Sequence, residues 1–103
     1  MAQPPIVYPP NTPQMAQGGN LNVTTGADGT TFVTLVDRPC RHVTIGNNTG
    51  TKIEIQQDGT GVGFPVFDQT YFTLYGLSNA SQIGVRRVDQ SNAQVVVNAR
   101  WEA

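Results

Sequence analysis

Arg41-His42-Val43-Thr44-Ile45-Gly46, the turn residues Asn47-Asn48-Thr49-Gly50 and the run Thr51-Lys52-Ile53-Glu54-Ile55-Gln56 decide the fold class. On both sides of the turn, β-branched apolar side chains alternate strictly with polar ones, which is the period of a half-buried strand and not of a helix. Pairing Ile45 with Ile53 and Val43 with Ile55 puts all four on one face. Asn48-Thr49-Gly50 is then a three-residue hairpin loop with Gly50 where a positive φ is needed. His42, Thr44, Lys52, Glu54 and Gln56 share the opposite, wet face. A one-residue slip would expose the isoleucines, so the alternation fixes which face is inner.

The same punctuated alternation continues in both directions. Short apolar stretches at 21–25, 30–36, 41–46, 51–57, 63–67, 70–75, 82–88 and 94–101 are separated by Gly, Asn and Asp clusters, and no sustained helical period occurs. The reading is an all-β, single small antiparallel domain: a β-sandwich or jelly roll, with a small barrel also open. A second hairpin is predicted near the end of the chain. Val85 pairs with Val97, Ile83 with Ala99 and Arg87 with Val95 around a loop at 89–93, and Trp101 seals one end of the core. Arg86 and Arg87 point to opposite faces, so one of them sits at the core edge and needs a partner, with Asp89 the near candidate.

Residues 1–19 read differently. Pro4, Pro5, Pro9, Pro10 and Pro13 exclude a helix or a central strand and favour a stiff, polyproline-like arm, followed by a hinge at Gln17-Gly18-Gly19-Asn20. The division is therefore arm and hinge over 1–19 and β domain over 20–103. The arm is either a tail or a strap that docks Ile6, Val7 and Tyr8 on another subunit; a pre-extended chain loses less entropy on docking.

Composition narrows the function classes. The 103 residues carry six Lys and Arg against seven Asp and Glu, a net charge of -1, and 13% charged residues is about half the usual quarter. A nucleic-acid binder needs clustered cations, and none is expected here. The single cysteine, Cys40, excludes an internal disulfide. Apolar runs of at most three residues, and a start without a basic or apolar leader, predict no membrane span or export signal. The Asn-x-Ser/Thr triplets at Asn22, Asn47 and Asn79 are read as turn and strand chemistry, not as glycan acceptors.

Chemistry-bearing constellations are sparse. Cys40 and His42 would share a face if both lay on one strand, as a thiol and its base must, but nothing marks a third orienting group, and Cys40 reads better as a small core residue. One His and one Cys fall short of a metal ligand set. Asp58-Gly59-Thr60-Gly61 lacks the alternating carboxylates of a calcium loop and the Gly-Lys-Ser/Thr ending of a phosphate loop, so it reads as a turn, and 58–63 as a mobile hairpin connection, the most flexible part of the body. No catalytic residue, cofactor or metal is assigned. Alternation places Phe72 and Leu74 on the core face and Tyr71, Thr73 and Tyr75 outside it, where the tyrosines are covered by a second sheet, meet a subunit or stack on sugar rings. The candidate interface residues are thus Pro4, Pro5, Ile6, Val7, Tyr8, Pro9, Pro10, Tyr71 and Tyr75.

From Gly46 onward, the segments Gly46-Asn-Asn-Thr-Gly50, Gly61-Val-Gly-Phe-Pro-Val-Phe67, Phe72-Thr-Leu-Tyr-Gly-Leu-Ser-Asn-Ala80, Ile83-Gly-Val-Arg-Arg-Val-Asp89 and Val95-Val-Val-Asn-Ala-Arg-Trp-Glu102 resemble small β-rich proteins of the structural gene clusters of tailed bacteriophages, capsid cement or decoration proteins being the nearest group. The resemblance spans a little over half the chain and leaves out the arm. It implies a non-enzymatic virion protein, made in the host cytoplasm, that binds the outer face of the head and staples neighbouring major capsid proteins, often as a dimer or trimer. A tail or head-to-tail component, and a carbohydrate-binding or host-adhesion module using Tyr71, Tyr75 and Trp101, are the alternatives.

Overall fold

A computed structural model describes residues 17–87 and 93–103. Eight strands follow in order: β1 (Gly18–Thr24), β2 (Val33–Thr34), β3 (His42–Asn47), β4 (Ile53–Gln57), β5 (Thr60–Val66), β6 (Thr70–Leu74), β7 (Ile83–Arg87) and β8 (Val96–Glu102), with a 3-10 turn at Ala80–Gln82. They build two four-stranded antiparallel sheets, ordered β1-β8-β3-β6 and β2-β7-β4-β5. The first strand lies beside the last, the second beside the seventh, the third beside the sixth and the fourth beside the fifth. One long hairpin bent at β4–β5 and wound on itself gives this order, which is that of a jelly roll.

The alternation assigned the faces correctly. Val43, Ile45, Ile53, Ile55, Ile83, Val85, Val97 and Ala99 all lie in one buried cluster between the sheets, with Trp101 packed against it. The assigned partners were wrong. Ile45 opposes Ala99 and Phe72, whereas Ile53 opposes Arg87 and Val66 in the other sheet. The second expected hairpin fails in the same way: Val85 opposes Val33 and Ile55, and Val97 opposes Val23. In this winding every connection except β4–β5 crosses from one sheet to the other, so strands adjacent in sequence face each other across the core and do not share a ladder.

Asn47 makes the first of these crossings. Its side chain is fully buried. The amide donates to the carbonyls of Thr51 at 2.8 Å and Val66 at 2.9 Å, while Oδ1 accepts from the Thr49 backbone at 3.0 Å and the Thr49 hydroxyl at 2.7 Å. All four hydrogen-bonding positions of the carboxamide are filled. Gly50, at φ +86, does hold the left-handed position, but in a crossover. The one true hairpin turns at Asp58-Gly59, both with positive φ, as a two-residue primed turn requires. Asp58 also ties this turn to the 3-10 segment, accepting from Gln82 Nε2 at 3.1 Å and donating its N–H to the Gln82 carbonyl at 2.7 Å. The stretch read as a hairpin connection is thus the turn and first residues of the β4–β5 hairpin.

Two residues read as a hinge, Gly18 and Gly19, begin β1 and pair with Glu102 and Trp101. A Cβ on Gly19 would stand 2.7 Å from the Trp101 indole nitrogen, so this glycine makes room for the ring that seals the core. Arg38 covers that ring from outside, its guanidinium carbon 4.8 Å from the centroid. Arg86 finds its partner in Glu54 at 3.1 Å, and Arg87 donates to the Ala93 carbonyl at 3.1 Å; Asp89 lies outside the described residues. Asn79 accepts from the Ser81 N–H as the cap of the 3-10 turn and donates to Asp37, so both it and Asn47 serve turns, as read from the sequence.

Between β1 and β2, Asp28 accepts the backbone N–H groups of Thr30 and Thr31 at 3.1 and 3.0 Å and the Thr31 hydroxyl at 2.7 Å. The Thr31 hydroxyl first, then the two amides, hold the Asp28 carboxyl below the ordinary aspartate value. A depressed folded-state value means that the turn's contribution to stability is present above the unfolded aspartate pKa and is lost as pH falls through the folded one. The Thr31 amide shift, followed by NMR during acidification, is expected to titrate with a midpoint below that of a free aspartate, and Asp28→Asn is expected to abolish the titration. A midpoint at the free value would remove this account of the turn.

Candidate interaction surface

Cys40 and His42 do not form a pair. Cys40 precedes β3 and packs in the core, whereas His42 lies on the outer face of its sheet against Tyr75, ring centroids 5.0 Å apart. Burial pushes the Cys40 thiol up from its ordinary pKa, away from a reactive thiolate. Among the described residues no group of three or more His, Cys, Asp or Glu is placed to hold a metal ion, and no helix is long and apolar enough to cross a membrane.

Tyr71 and Tyr75 stand on the outer face of the β1-β8-β3-β6 sheet, 75% and 71% exposed, and no second sheet among the described residues covers them. Trp101 faces inward under Arg38 and offers no platform to a sugar. The arm residues Pro4, Pro5, Ile6, Val7, Tyr8, Pro9 and Pro10 lie outside the described residues.

The surface missed in the sequence is aromatic. β5 and β6 are edge strands of opposite sheets, on the same side of the sandwich. Phe64 opposes the buried Ile55, and Phe72 opposes the buried Ile45, so both rings belong to the inner faces. They meet across the mouth of the sandwich with centroids 4.8 Å apart and planes tilted by 44°. Among the described residues no further strand closes that mouth, and the rings are 51% and 37% exposed. Phe72 is thus at the rim and not in the core, where alternation placed it. Phe67, with the Lys52 ammonium 4.8 Å from its centroid, and Tyr71 extend the patch around a depression of about 220 Å³. Pro65 carried the signal: a proline inside a strand marks an edge, so the inward-facing phenylalanine beside it has a neighbour on one side alone.

No protein-family model matches the chain, and no curated protein does. Among solved structures it is similar to a de novo designed double-stranded β-helix determined by solution NMR, with a TM-score of 0.44 and 17% identity over 84% of this chain and 99% of that one.

Proposed function

We propose that the chain is a non-enzymatic virion structural protein of the capsid cement type. It binds the outside of a tailed-phage head and staples neighbouring major capsid proteins, itself a dimer or trimer. The observation that carries this reading is the Phe64–Phe72 edge, where aromatic side chains of the inner faces reach solvent between two strands that are sheet edges among the described residues. Contiguous apolar surface rimmed by polar groups marks a place to be covered by a partner, and an unpaired strand beside it offers a ladder of backbone groups to the same partner. The resemblance of residues 46–102 to phage structural proteins supplies the class of partner; the jelly roll alone does not, because it hosts unrelated functions. In this reading Pro4 to Pro10 lie across a neighbouring subunit and bury Ile6, Val7 and Tyr8.

Two measurements test it together. Co-sedimentation of the full chain with assembled phage heads is expected to show saturable binding. Light scattering is expected to give a dimer or trimer for the full chain and a monomer for a chain starting at Gly18. A monomer in both cases together with no head binding would sink the proposal.

A further inference from the structure

We infer that the N-terminal arm is rooted on its own domain: residues 13–16 cross the end of the β1-β8-β3-β6 sheet, with the Met15 side chain packed over Cys40 and Leu77. A groove of about 750 Å³ runs across that end. It begins at Gln17 and Ala103, passes Arg41 and His42, and finishes at Leu77 and Ser78. It thus meets the ends of β1, β8, β3 and β6 in the order in which they lie in the sheet. Three strand spacings make about 14 Å, and four extended residues span about 13 Å. Gln17 is the first described residue, and its carbonyl accepts from the Ala103 N–H at 2.8 Å. That bond carries the β1–β8 ladder one step past Gly18 and Glu102, so the chain enters the domain at one end of the groove.

The residues just before Gln17 match what the groove offers. On β1 the inner face holds Leu21 and Val23, and the period of two puts Gln17 and Met15 on the same side. Met15 is the large apolar side chain of residues 13–16. Cys40 and Leu77 of the core line the groove, and exposed Pro39 adds an apolar wall. A flexible thioether suits an irregular seat of this kind. A second observation comes from His42, which lines the same groove. Its Nδ1 is shielded from solvent and has no hydrogen-bond partner among the described residues. A shielded polar atom without a partner costs free energy, and the Gln14 carboxamide, donor and acceptor at once, serves either tautomer of the imidazole.

The position of Gln17 selects the occupant. Residue 16 of the same chain stands next to Gln17 by covalent connection, so the arm of a second copy would have to displace it to enter. The chain's own segment enters without that cost and orders few residues. Rooted in this way, the arm leaves the domain beside β6, the edge strand that carries Phe72, and the residues before 13 remain to reach another subunit. The root requires neither head binding nor an oligomer.

The test uses the full chain carrying labelled methionine methyl groups. The chain has two methionines, so the Met15 signal is resolved by substitution. Nuclear Overhauser contacts are expected from the Met15 methyl to the Leu77 methyls and the Cys40 β-protons, and they should persist on dilution. Met15→Ser is expected to lower the melting temperature by roughly 4–8 °C. It should also speed alkylation of Cys40, the single thiol of the chain, roughly fivefold, because the reagent reaches that side chain only when the groove opens. Gln3→Ser, farther out on the arm, should change neither. A Met15 methyl at the shift of free methionine without contacts to Leu77 or Cys40 overturns the inference. So do contacts that arise only between differently labelled chains, which would give the groove to a second copy's arm, or a Met15→Ser protein that melts and reacts like Gln3→Ser.

Discussion

Replacing Asn47 with alanine is expected to destabilise the domain by about 3 kcal/mol and to lower its melting temperature by roughly 12–24 °C. The carboxamide is fully buried and makes two donor and two acceptor contacts, so its removal strips four hydrogen bonds at once. The Val66 carbonyl then has no side-chain partner in a dry site, and an orphaned buried acceptor costs about 1–3 kcal/mol by itself. The Thr51 carbonyl is partly rescued, because the Thr49 hydroxyl lies 3.0 Å from it and turns its single proton to that carbonyl once Asn47 Oδ1 is gone. The rest of the estimate comes from the cavity and from the loss of cooperativity in a fully satisfied cluster. A domain of this size holds about 4–13 kcal/mol in total, so the change removes a large share of it. Asn47→Asp is expected to be no better, since it keeps the acceptor, loses both donors and buries a charge. The exposed neighbour Asn48→Ala is the control and should stay within about 0.5 kcal/mol. Thermal and urea unfolding of the three variants decide it; a loss of under about 1 kcal/mol for Asn47→Ala would mean that the crossover is held by something else.

Asn47 also shows why the faces could be read from the sequence and the partners could not. Side-chain alternation is a local property with period two, and it assigned Val43, Ile45, Ile53, Ile55, Ile83, Val85, Val97 and Ala99 to the interior without error. Strand pairing depends on whether a connection turns back within its sheet or crosses to the other. Asn47-Asn48-Thr49-Gly50 has the composition of either. What separates the two outcomes is that Asn47 is buried and bonded to Val66, nineteen residues away, and that bond is tertiary information. The true hairpin did carry a local signature. Asp58-Gly59 is a favoured primed-turn dipeptide, and the positive φ at both residues follows from it. It is the connection read as a hairpin, and β4 and β5 do lie side by side; nothing local says that the earlier turn crosses instead. The candidate surface was half legible in the same sense. Outward Tyr71 and Tyr75 follow from period two, whereas the exposure of Phe64 and Phe72 follows from strand order, since rings on an inner face reach solvent where the described residues supply no next strand.

The largest functional effect is expected from that edge. Phe64→Glu combined with Phe72→Glu should weaken binding to assembled heads by more than a hundredfold while the domain stays folded. Aromatic anchors at the centre of an interface typically contribute 2 kcal/mol or more each, and a partner that desolvates two of them loses about 4 kcal/mol when both are replaced, roughly a thousandfold in affinity. Introducing a carboxylate where the partner supplies an apolar pocket adds an unpaired charge to that loss. The cost to the free domain is smaller. Each ring already has a third or more of its surface in water, so its replacement removes part of a burial term and the mutual Phe64–Phe72 contact, about 2 kcal/mol together. A surface residue of similar exposure away from the edge, Val96, 53% exposed on β8, gives the comparison: Val96→Glu should change neither binding nor stability by more than about 0.5 kcal/mol. Co-sedimentation with heads, read beside thermal unfolding of the same samples, separates the two contributions. Equal losses in binding and in stability would mean that the rings hold the sandwich closed and do nothing more. A double variant that binds heads like the parent would move the shell contact to another face, and the aromatic mouth would then have to be covered by a second copy of the chain.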